Sequence, residues 1–403
     1  MNRLCSGVTD AVRCLKQLAS VYRLAPLLLI VAMTAGSVRA HDASSYGGVF
    51  RSRNLGGTWL RADVGLFLNA ALVVAVDPQN GPRLLAGTDL GLLGSRNGGL
   101  SWTPEAPDLI FGAVFALTFL DDGERAICVA QSGVFRFEAG EWKPALAPEA
   151  AIPAKILATG AFADRIYLLG RDRLFASGDG GRTFVEAGGR RETSAMTALA
   201  IVRSEPEIMV AVIGGQIMIS EDGGQHWRPG GLGNDGQPVD NVTADARVPK
   251  RVWAARAGRI YVSDDRGSSW RAGGRALPEP ATTIRGIAAN AEATTLVVTT
   301  NRGLYRSENG GENWTLKEDN LPIHLEAGAL AQDPRDAGAL YAVYSLTPYS
   351  EVWRTAIEAR NLMRRPDPMS LAGRIGLSLL AIVAGALLAR FLVRARLAEP
   401  RGS

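Results

Sequence analysis

Cysteine is scarce in this chain of 403 residues, and its scarcity limits how the fold can be held together. The three cysteines are Cys5, Cys14 and Cys128, and the first two lie in a basic and apolar N-terminal segment. Cys128 stands between Ile127 and Val129, which predicts a buried, inert thiol on a strand. A single cysteine cannot form an internal disulfide, so the main part of the chain has no disulfide framework.

Histidine is equally rare, so few residues are available for catalytic sites that depend on a histidine base. The chain contains only His41, His226 and His324. Serine and thiol hydrolases use histidine as a general base to activate the nucleophile. His226 lies inside a repeated turn sequence, which predicts an exposed surface position, so the histidines give no support for either hydrolase class.

Basic residues exceed acidic ones by only four, and this small excess is unevenly placed. Residues 1–40 hold five basic residues and one acidic residue, and residues 358–403 hold eight and three. The intervening residues 41–357 therefore contain 31 basic and 36 acidic residues. A mildly acidic domain of this kind gives no indication of nucleic-acid binding.

The chain does contain an octapeptide that recurs six times at steps of about 43 residues, with one gap of about twice that length. Its pattern is Ser-x-Asp/Asn-x-Gly-x-x-Trp/Phe, and a degenerate copy, Val134–Trp142, fills the gap. We expect the defining positions to be structural. They are Ser52, Asn54, Gly56, Trp59, Ser95, Asn97, Gly99, Trp102, Ser177, Asp179, Gly181, Phe184, Ser220, Asp222, Gly224, Trp227, Ser263, Asp265, Gly267, Trp270, Ser307, Asn309, Gly311 and Trp314.

Each octapeptide follows a short apolar run, as expected for a hairpin turn between two strands. Its Asp or Asn can accept hydrogen bonds from amides of the same turn, and its Gly supplies a positive φ. The final Trp or Phe is large enough to fill the wedge between neighbouring sheets. Two further β-like runs precede each turn, so four strands per repeat predict a β-propeller blade. Residues 59–355 have room for seven blades, with residues 47–61 closing the ring on the last blade and a final strand at Val352–Thr355.

These octapeptides resemble the Asp-box, or BNR, repeat. That repeat occurs in sialidases, xyloglucanase-type glycosidases, sortilin-like receptors and photosystem II stability/assembly factor-like propellers. The resemblance covers about residues 47–357 and is greatest to the last of these groups. It implies an all-β, seven-bladed propeller of four-stranded blades that binds a membrane-protein client, needs no cofactor and catalyses no reaction.

Two apolar segments flank the predicted propeller. Residues 24–36 form a short apolar core behind basic residues, and Val38–Ala40 provides a cleavage site, which indicates a signal peptide over residues 1–40. An uncleaved anchor is the alternative because the basic region is long. Leu371–Val393 is long enough to span a bilayer as a helix.

The flanking segments together predict a bacterial inner-membrane protein. Residues 41–357 would form the propeller in the periplasm, residues 358–370 a linker, residues 371–393 the membrane helix and residues 394–403 a basic cytoplasmic tail. A sorting tail that is removed at the cell surface is a further interpretation of the C-terminal segment.

Cleavage after Ala40 would leave His41 as the N-terminal residue. Its amine and imidazole could chelate copper, but a firm site needs a second ligand such as His324, and the sequence shows no such pairing. We therefore predict no metal site and keep His41 as a hypothesis.

A four-stranded blade places the octapeptide turns and the turns between its first two strands on one face of the ring. The opposite face receives the turns between the second and third strands and the connections between blades. Arginine is frequent there although the domain is acidic, and arginine pairs well with carboxylates and phosphates. Scattered, solvated loop charges are the alternative. The candidate partner-binding residues are Arg171, Arg173, Arg190, Arg191, Arg256, Arg285 and Arg302.

The sequence lacks the signatures of the enzymes that carry this repeat. No Arg-Ile-Pro motif introduces the arginine triad of a sialidase. The tyrosines stand in predicted strands among apolar neighbours, which favours core packing; they are Tyr167, Tyr261, Tyr305 and Tyr341. The Trp residues fall in octapeptides or in strands, Trp353 among them, so none remains to line a glycosidase cleft. We predict a non-enzymatic, membrane-tethered scaffold or assembly factor, with a sialidase-like, glycan-active or glycan-binding propeller as the alternative.

Overall fold

The computed structural model describes residues 46–160, 164–322 and 324–364. Within these ranges, 28 strands form seven sheets of four antiparallel strands each. The innermost strands contact one another in succession around a closed ring, so the sheets are the blades of a seven-bladed β-propeller. The predicted β-propeller is confirmed over this part of the chain.

The strands are numbered along the chain, and six of the blades use four consecutive strands from the centre outward. The N-terminal strands are β1 (Gly48–Ser52) and β2 (Leu60–Arg61). Blade 1 is β3–β6 (Ala71–Val76, Leu84–Thr88, Leu92–Ser95, Thr103–Pro104), blade 2 is β7–β10 (Val114–Phe119, Ala126–Ala130, Gly133–Glu138, Glu141–Pro144) and blade 3 is β11–β14 (Ile156–Thr159, Ile166–Leu169, Leu174–Ser177, Val185–Ala187). Blade 4 is β15–β18 (Met196–Val202, Ile208–Ile213, Gln216–Ser220, Arg228–Pro229), blade 5 is β19–β22 (Val239–Ala244, Val252–Arg256, Arg259–Ser263, Arg271–Gly273) and blade 6 is β23–β26 (Ile284–Ala289, Leu296–Thr300, Gly303–Ser307, Thr315–Lys317). The C-terminal strands are β27 (Glu326–Gln332) and β28 (Leu340–Ser345).

Blade 7 joins the two ends of the domain. Its inner strands are β27 and β28, and its outer strands are β1 and β2. Strand β1 pairs with β28 over five residues, from Gly48 opposite Tyr344 to Ser52 opposite Leu340. This pairing confirms that residues 47–61 close the ring.

Each octapeptide forms the turn between the third and fourth strands of a blade, and we call these turns the boxes. In the fifth box, Ser263 Oγ accepts a hydrogen bond from the Gly267 N–H at 2.7 Å and donates one to Asp265 Oδ1 at 2.8 Å. Asp265 Oδ1 also accepts from the Ser269 N–H at 2.8 Å. The serine-to-glycine hydrogen bond recurs in all six boxes. The two side chains therefore satisfy turn amides that have no backbone partner.

Glycine is required at the fifth box position because of its backbone conformation. The φ angles of the six box glycines lie between 74° and 89°, in the left-handed region. The degenerate copy in blade 2 forms a shorter turn between β9 and β10, in which Ala139 and Gly140 both have a positive φ. A two-residue hairpin turn replaces the box there.

The aromatic residue that ends each box packs between neighbouring sheets. Trp59 is 1% exposed and lies in a cluster with Val297 and Leu304 of blade 6. Its Nε1 donates to the Gly56 carbonyl at 3.2 Å, so the ring is also tied to its own turn. Cys128 is fully buried on β8 as predicted, and burial raises the pKa of its thiol.

Two α-helices occur among the described residues, α1 (Arg190–Ser194) and α2 (Tyr349–Arg364). Helix α2 shows that the predicted strand at Val352–Thr355 is wrong, and Trp353 is a helix residue. The apolar residues Tyr349, Val352, Trp353 and Ala356 recur at helical spacing, and they pack on Ala70, Leu72, Ala113 and Phe115. Strands β1 and β2 already complete blade 7, so the ring has no place for a further strand.

No helix in the described ranges is long and apolar enough to cross a membrane. The predicted signal peptide (1–40), membrane helix (371–393) and basic tail (394–403) all lie outside those ranges. Residues 358–364 of the predicted linker continue α2.

The box hydrogen bonds predict a difference between two serines of the same turn. Ser263→Ala should lower the free energy of unfolding by about 1–3 kcal/mol, because it leaves the buried Gly267 amide without its acceptor. Ser268→Ala is the matched control, because Ser268 is exposed, and should change stability by less than about 0.5 kcal/mol. Thermal unfolding measures both variants, and equal effects would show that the Ser263–Gly267 hydrogen bond does not stabilise the turn.

The charged boxes also predict an acid-sensitive contribution to stability. The N–H of His226 lowers the pKa of Asp222 to about 2. Slight desolvation opposes ionisation of Asp179, but its turn hydrogen bonds together outweigh this and lower its pKa to about 2. Because both values lie below the ordinary 3.8, the contribution is present above about pH 4 and is lost as pH falls towards 2.

Three boxes carry Asn in the same position, which supplies a matched replacement. The variant Asp179→Asn/Asp222→Asn/Asp265→Asn keeps the accepting oxygen and removes the titrating groups. We expect its melting temperature to fall less steeply between pH 4 and pH 2 than that of the unchanged protein. Parallel melting curves over this range would show that the box carboxylates carry no acid-sensitive stability.

Candidate functional site

Backbone hydrogen bonds identify the two faces of the ring. The Gly98 N–H in the second box donates to the Pro82 carbonyl at 2.7 Å, and the Gly310 N–H in the sixth box donates to the Thr294 carbonyl at 2.7 Å. Both acceptors lie in turns between the first and second strands of the same blade. These turns and the boxes therefore form one face, which we call the box face. The opposite face, with the remaining connections, is called the upper face.

A central cavity of about 600 Å³ opens on the upper face. All seven inner strands line it, because each begins at this face and runs towards the box face. Helix α2 adds Tyr349 and Ser350 at the rim. The polar side chains around this upper cavity are Lys155, Thr197, Asp240, Asn241, Thr283 and Arg285.

The upper cavity combines cationic and acidic groups. Arg285 Nη2 lies 2.6 Å from Glu326 Oε2 in an ion pair. Lys155 Nζ donates to the Arg171 carbonyl at 3.0 Å, which holds the ammonium at the rim. Burial raises the pKa of Asp240, so this carboxyl resists ionisation more than a free aspartate does. The cavity is thus suited to an extended polar segment whose backbone and side chains need both donors and acceptors.

The structure spreads the candidate arginines over blades 3–6 and gives them different environments. Arg173 pairs with Glu186 at 3.0 Å, and Arg256 pairs with Asp235 at 3.1 Å. Among the described side chains, Arg171 and Arg302 have no carboxylate within 4.0 Å, and Arg302 is exposed. Arg190 and Arg191 open α1, and their side chains lie outside the described ones.

Arg256 is buried and holds a loop, although its sequence position beside a turn predicts an accessible charge. Its side chain is 3% exposed. Its Nη1 donates to the Gly233 carbonyl at 2.8 Å, and its guanidinium lies over the Tyr261 ring at 5.7 Å. These contacts fix the connection between blades 4 and 5 and leave little of the guanidinium for a partner.

Helix α2 lies across the upper face. The Phe115 ring is 5.0 Å from that of Trp353 and 5.7 Å from that of Tyr349, both in edge-to-face geometry. Further along the helix, Arg360 Nη1 donates to the Gln131 carbonyl at 2.7 Å. Burial lowers the pKa of Arg360, and the nearby Arg171 charge adds to the effect. Helix α2 therefore reaches from the rim of the upper cavity to blades 2 and 3.

A cleft of about 710 Å³ on the box face, between blades 3 and 4, contains a tyrosine–carboxylate pair. Tyr167 Oη donates to Glu207 Oε1 at 2.6 Å. Burial raises the pKa of Tyr167, and the hydrogen bond to Glu207 raises it further. Both side chains are buried, with Tyr167 2% exposed and Glu207 6% exposed, so this hydrogen bond lies within the fold.

Within the described ranges, no group of three or more His, Cys, Asp or Glu side chains is placed to hold a metal ion. His226 Nδ1 lies 2.6 Å from Asp222 Oδ2 inside the fourth box. His324 is exposed, and His41 lies outside the described residues.

Solved propellers share this fold at low sequence identity. YCF48 bound to D1 peptide is 19% identical with a TM-score of 0.51, and the match covers 70% of this chain and 94% of that one. YCF48 from Cyanidioschyzon merolae is 14% identical with a TM-score of 0.52, covering 70% and 97%. The extracellular domain of BT4673 from B. thetaiotaomicron is 13% identical with a TM-score of 0.52, covering 73% and 39%.

These likenesses support the resemblance to assembly-factor propellers at the level of the fold. No protein-family model matches the chain, and no curated protein does.

The contrast between two upper-face arginines gives a prediction. Arg256→Ala should lower the free energy of unfolding by about 1–3 kcal/mol, because it removes a buried side chain and its contact to Gly233. Arg302→Ala should change it by less than about 0.5 kcal/mol, because Arg302 is exposed. Denaturant unfolding compares the two, and a tolerated Arg256→Ala would show that this arginine does not anchor the loop.

Proposed function

We propose that this protein is a non-enzymatic, membrane-tethered propeller that binds a membrane-protein client as a scaffold or assembly factor. The client would contribute an extended, acidic segment, which would lie over the upper face and enter the upper cavity. The propeller would stand in the periplasm of a bacterial cell, with residues 371–393 crossing the inner membrane and residues 394–403 in the cytoplasm.

The observation that carries this proposal is the open upper cavity beside arginines that have no internal partner. Arg171 and Arg302 lie on the upper face and form no ion pair among the described side chains. Unpaired guanidinium groups can form two parallel hydrogen bonds with a carboxylate, which gives affinity and orientation. A propeller of the same fold, YCF48, has been solved bound to a D1 peptide, which supports peptide binding as a use of this architecture.

The tether would make weak recognition sufficient. A protein held at the membrane surface meets a membrane-embedded client at a high effective concentration, so modest contacts give substantial occupancy. Electrostatic attraction between the arginines and an acidic segment would also speed association. Ring-shaped scaffolding of this kind needs neither a cofactor nor a catalytic group.

A glycan-directed function has less support from the side chains. Sugar-binding clefts present exposed aromatic rings, whereas all eight Trp residues here are buried or half-buried. The Tyr167–Glu207 pair lies on the box face and is engaged in an internal hydrogen bond. We therefore place protein binding before glycan binding.

Charge reversal on the upper face tests the proposal. Full-length tagged protein would be captured from detergent-solubilised native membranes, and co-purifying proteins would be quantified by mass spectrometry. We expect a stoichiometric membrane-protein partner whose recovery falls about tenfold, equivalent to about 1.4 kcal/mol, in Arg171→Glu/Arg302→Glu. The variant should keep its melting temperature, because neither side chain holds another element in place.

The matched control reverses two exposed charges away from the upper face. Arg96 lies in the second box, and Arg271 follows the fifth. Arg96→Glu/Arg271→Glu changes the net charge by the same amount and should leave partner recovery unchanged. Equal losses in both double variants, or a protein that is recovered without any partner, would contradict the proposed site.

A further inference from the structure

Exposed apolar side chains gather on the loops of blades 7, 1 and 2 at the upper face. Val64, Phe67, Leu90, Phe111 and Leu346 are 73%, 81%, 81%, 55% and 41% exposed. Single exposed apolar residues are ordinary, but five on adjoining loops form a feature that needs an explanation. We call these five residues the apolar loop patch.

Backbone contacts place the loops of the patch side by side. The Leu346 N–H donates to the Asn69 carbonyl at 2.9 Å, next to the loop that carries Val64 and Phe67. The Asp89 N–H donates to the Ala70 carbonyl at 3.4 Å, which connects that loop to the turn with Leu90. Gly91 forms a β-bridge with Phe111. The five side chains therefore belong to one continuous rim.

The patch differs from the apolar surface that the fold already uses. None of its five side chains lines the upper cavity or the box-face cleft. Helix α2 instead packs its apolar side chains on Leu72, Ala113 and Phe115 and leaves the loop tips uncovered. Protruding side chains on separate loops are suited to insertion into a soft, apolar phase, whereas a folded protein partner is better matched by a groove.

The position of α2 links this rim to the membrane. Helix α2 ends at Arg364, and the apolar segment Leu371–Val393 begins after six further residues. The seven steps from Arg364 to Leu371 span at most about 23–25 Å, even when fully extended. If Leu371–Val393 crosses the bilayer, the end of α2 lies within that distance of the membrane surface. Since α2 rests on the upper face, the upper face is held towards the bilayer.

We propose that the apolar loop patch inserts into the surface of the lipid bilayer and orients the propeller with its upper face towards the membrane. This inference rests on the membrane tether of the proposed function. The exposed Arg354 on α2 would face anionic lipid headgroups. The patch occupies blades 7, 1 and 2, and the candidate arginines occupy blades 3–6, so membrane contact leaves the client-binding half of the face accessible at its side.

A fluorescent probe at single positions tests this orientation. An environment-sensitive fluorescent amino acid would replace Leu90 in the full-length protein, reconstituted into phosphatidylethanolamine/phosphatidylglycerol vesicles. The matched control carries it at Leu100, which is also an exposed leucine, 61% exposed, but lies in the second box on the opposite face. We expect a blue shift and quenching by spin-labelled lipid at position 90, and quenching by aqueous iodide alone at position 100.

The outcomes separate this inference from the tether on which it rests. Vesicle flotation of the same samples measures the tether directly. Flotation with iodide quenching equal at both positions would overturn the inserted patch and leave the tether standing. Loss of flotation would overturn the tether and the patch together. Protection of position 90 only after other membrane proteins are added, without lipid quenching, would overturn the lipid assignment in favour of a protein partner.

Discussion

The antiparallel pairing of β1 with β28 is the contact on which the rest of the molecule depends. Without it, blade 7 has only its two inner strands, and the N-terminal strands are not joined to the C-terminal ones. The pairing also fixes where the domain begins and ends in space, because β1 enters from the upper face and β28 returns to it. Helix α2 follows directly and packs over blades 1 and 2. Ring closure therefore brings the ends of the described domain to one face.

That arrangement divides the upper face into two halves with different chemistry. Blades 7, 1 and 2 carry the apolar loops, and blades 3–6 carry the candidate arginines, of which Arg285 lines the upper cavity. On the opposite face, the serine and aspartate side chains of the boxes form hydrogen bonds within their own turns. A scaffold for a membrane-embedded client would use the upper face, because the unpaired arginines and exposed apolar side chains of that face can still form contacts with a partner.

Local turn chemistry explains why the fold was predictable from the sequence and why parts of the site were not. The box pattern reports hydrogen bonds within eight residues, so the sequence alone gives the blade count, the closure by residues 47–61 and the wedge position of Trp59. Helix α2 was missed because Val352–Thr355 is strand-like in isolation, and its helix is stabilised by packing on Phe115. Arg256 is held by the carbonyl of Gly233, which is 23 residues earlier in the chain. The residues next to Arg256 in the sequence therefore do not indicate this contact.

Site-specific photo-crosslinking in native membranes tests most directly whether the upper face is the one that binds a client. A photoreactive amino acid would replace Arg302 on the upper face in one variant and Gln225, an exposed residue in the fourth box, in another. We expect a discrete crosslinked protein from position 302 and none from position 225. A discrete product from position 225 together with none from position 302 would place the client on the box face and contradict the account.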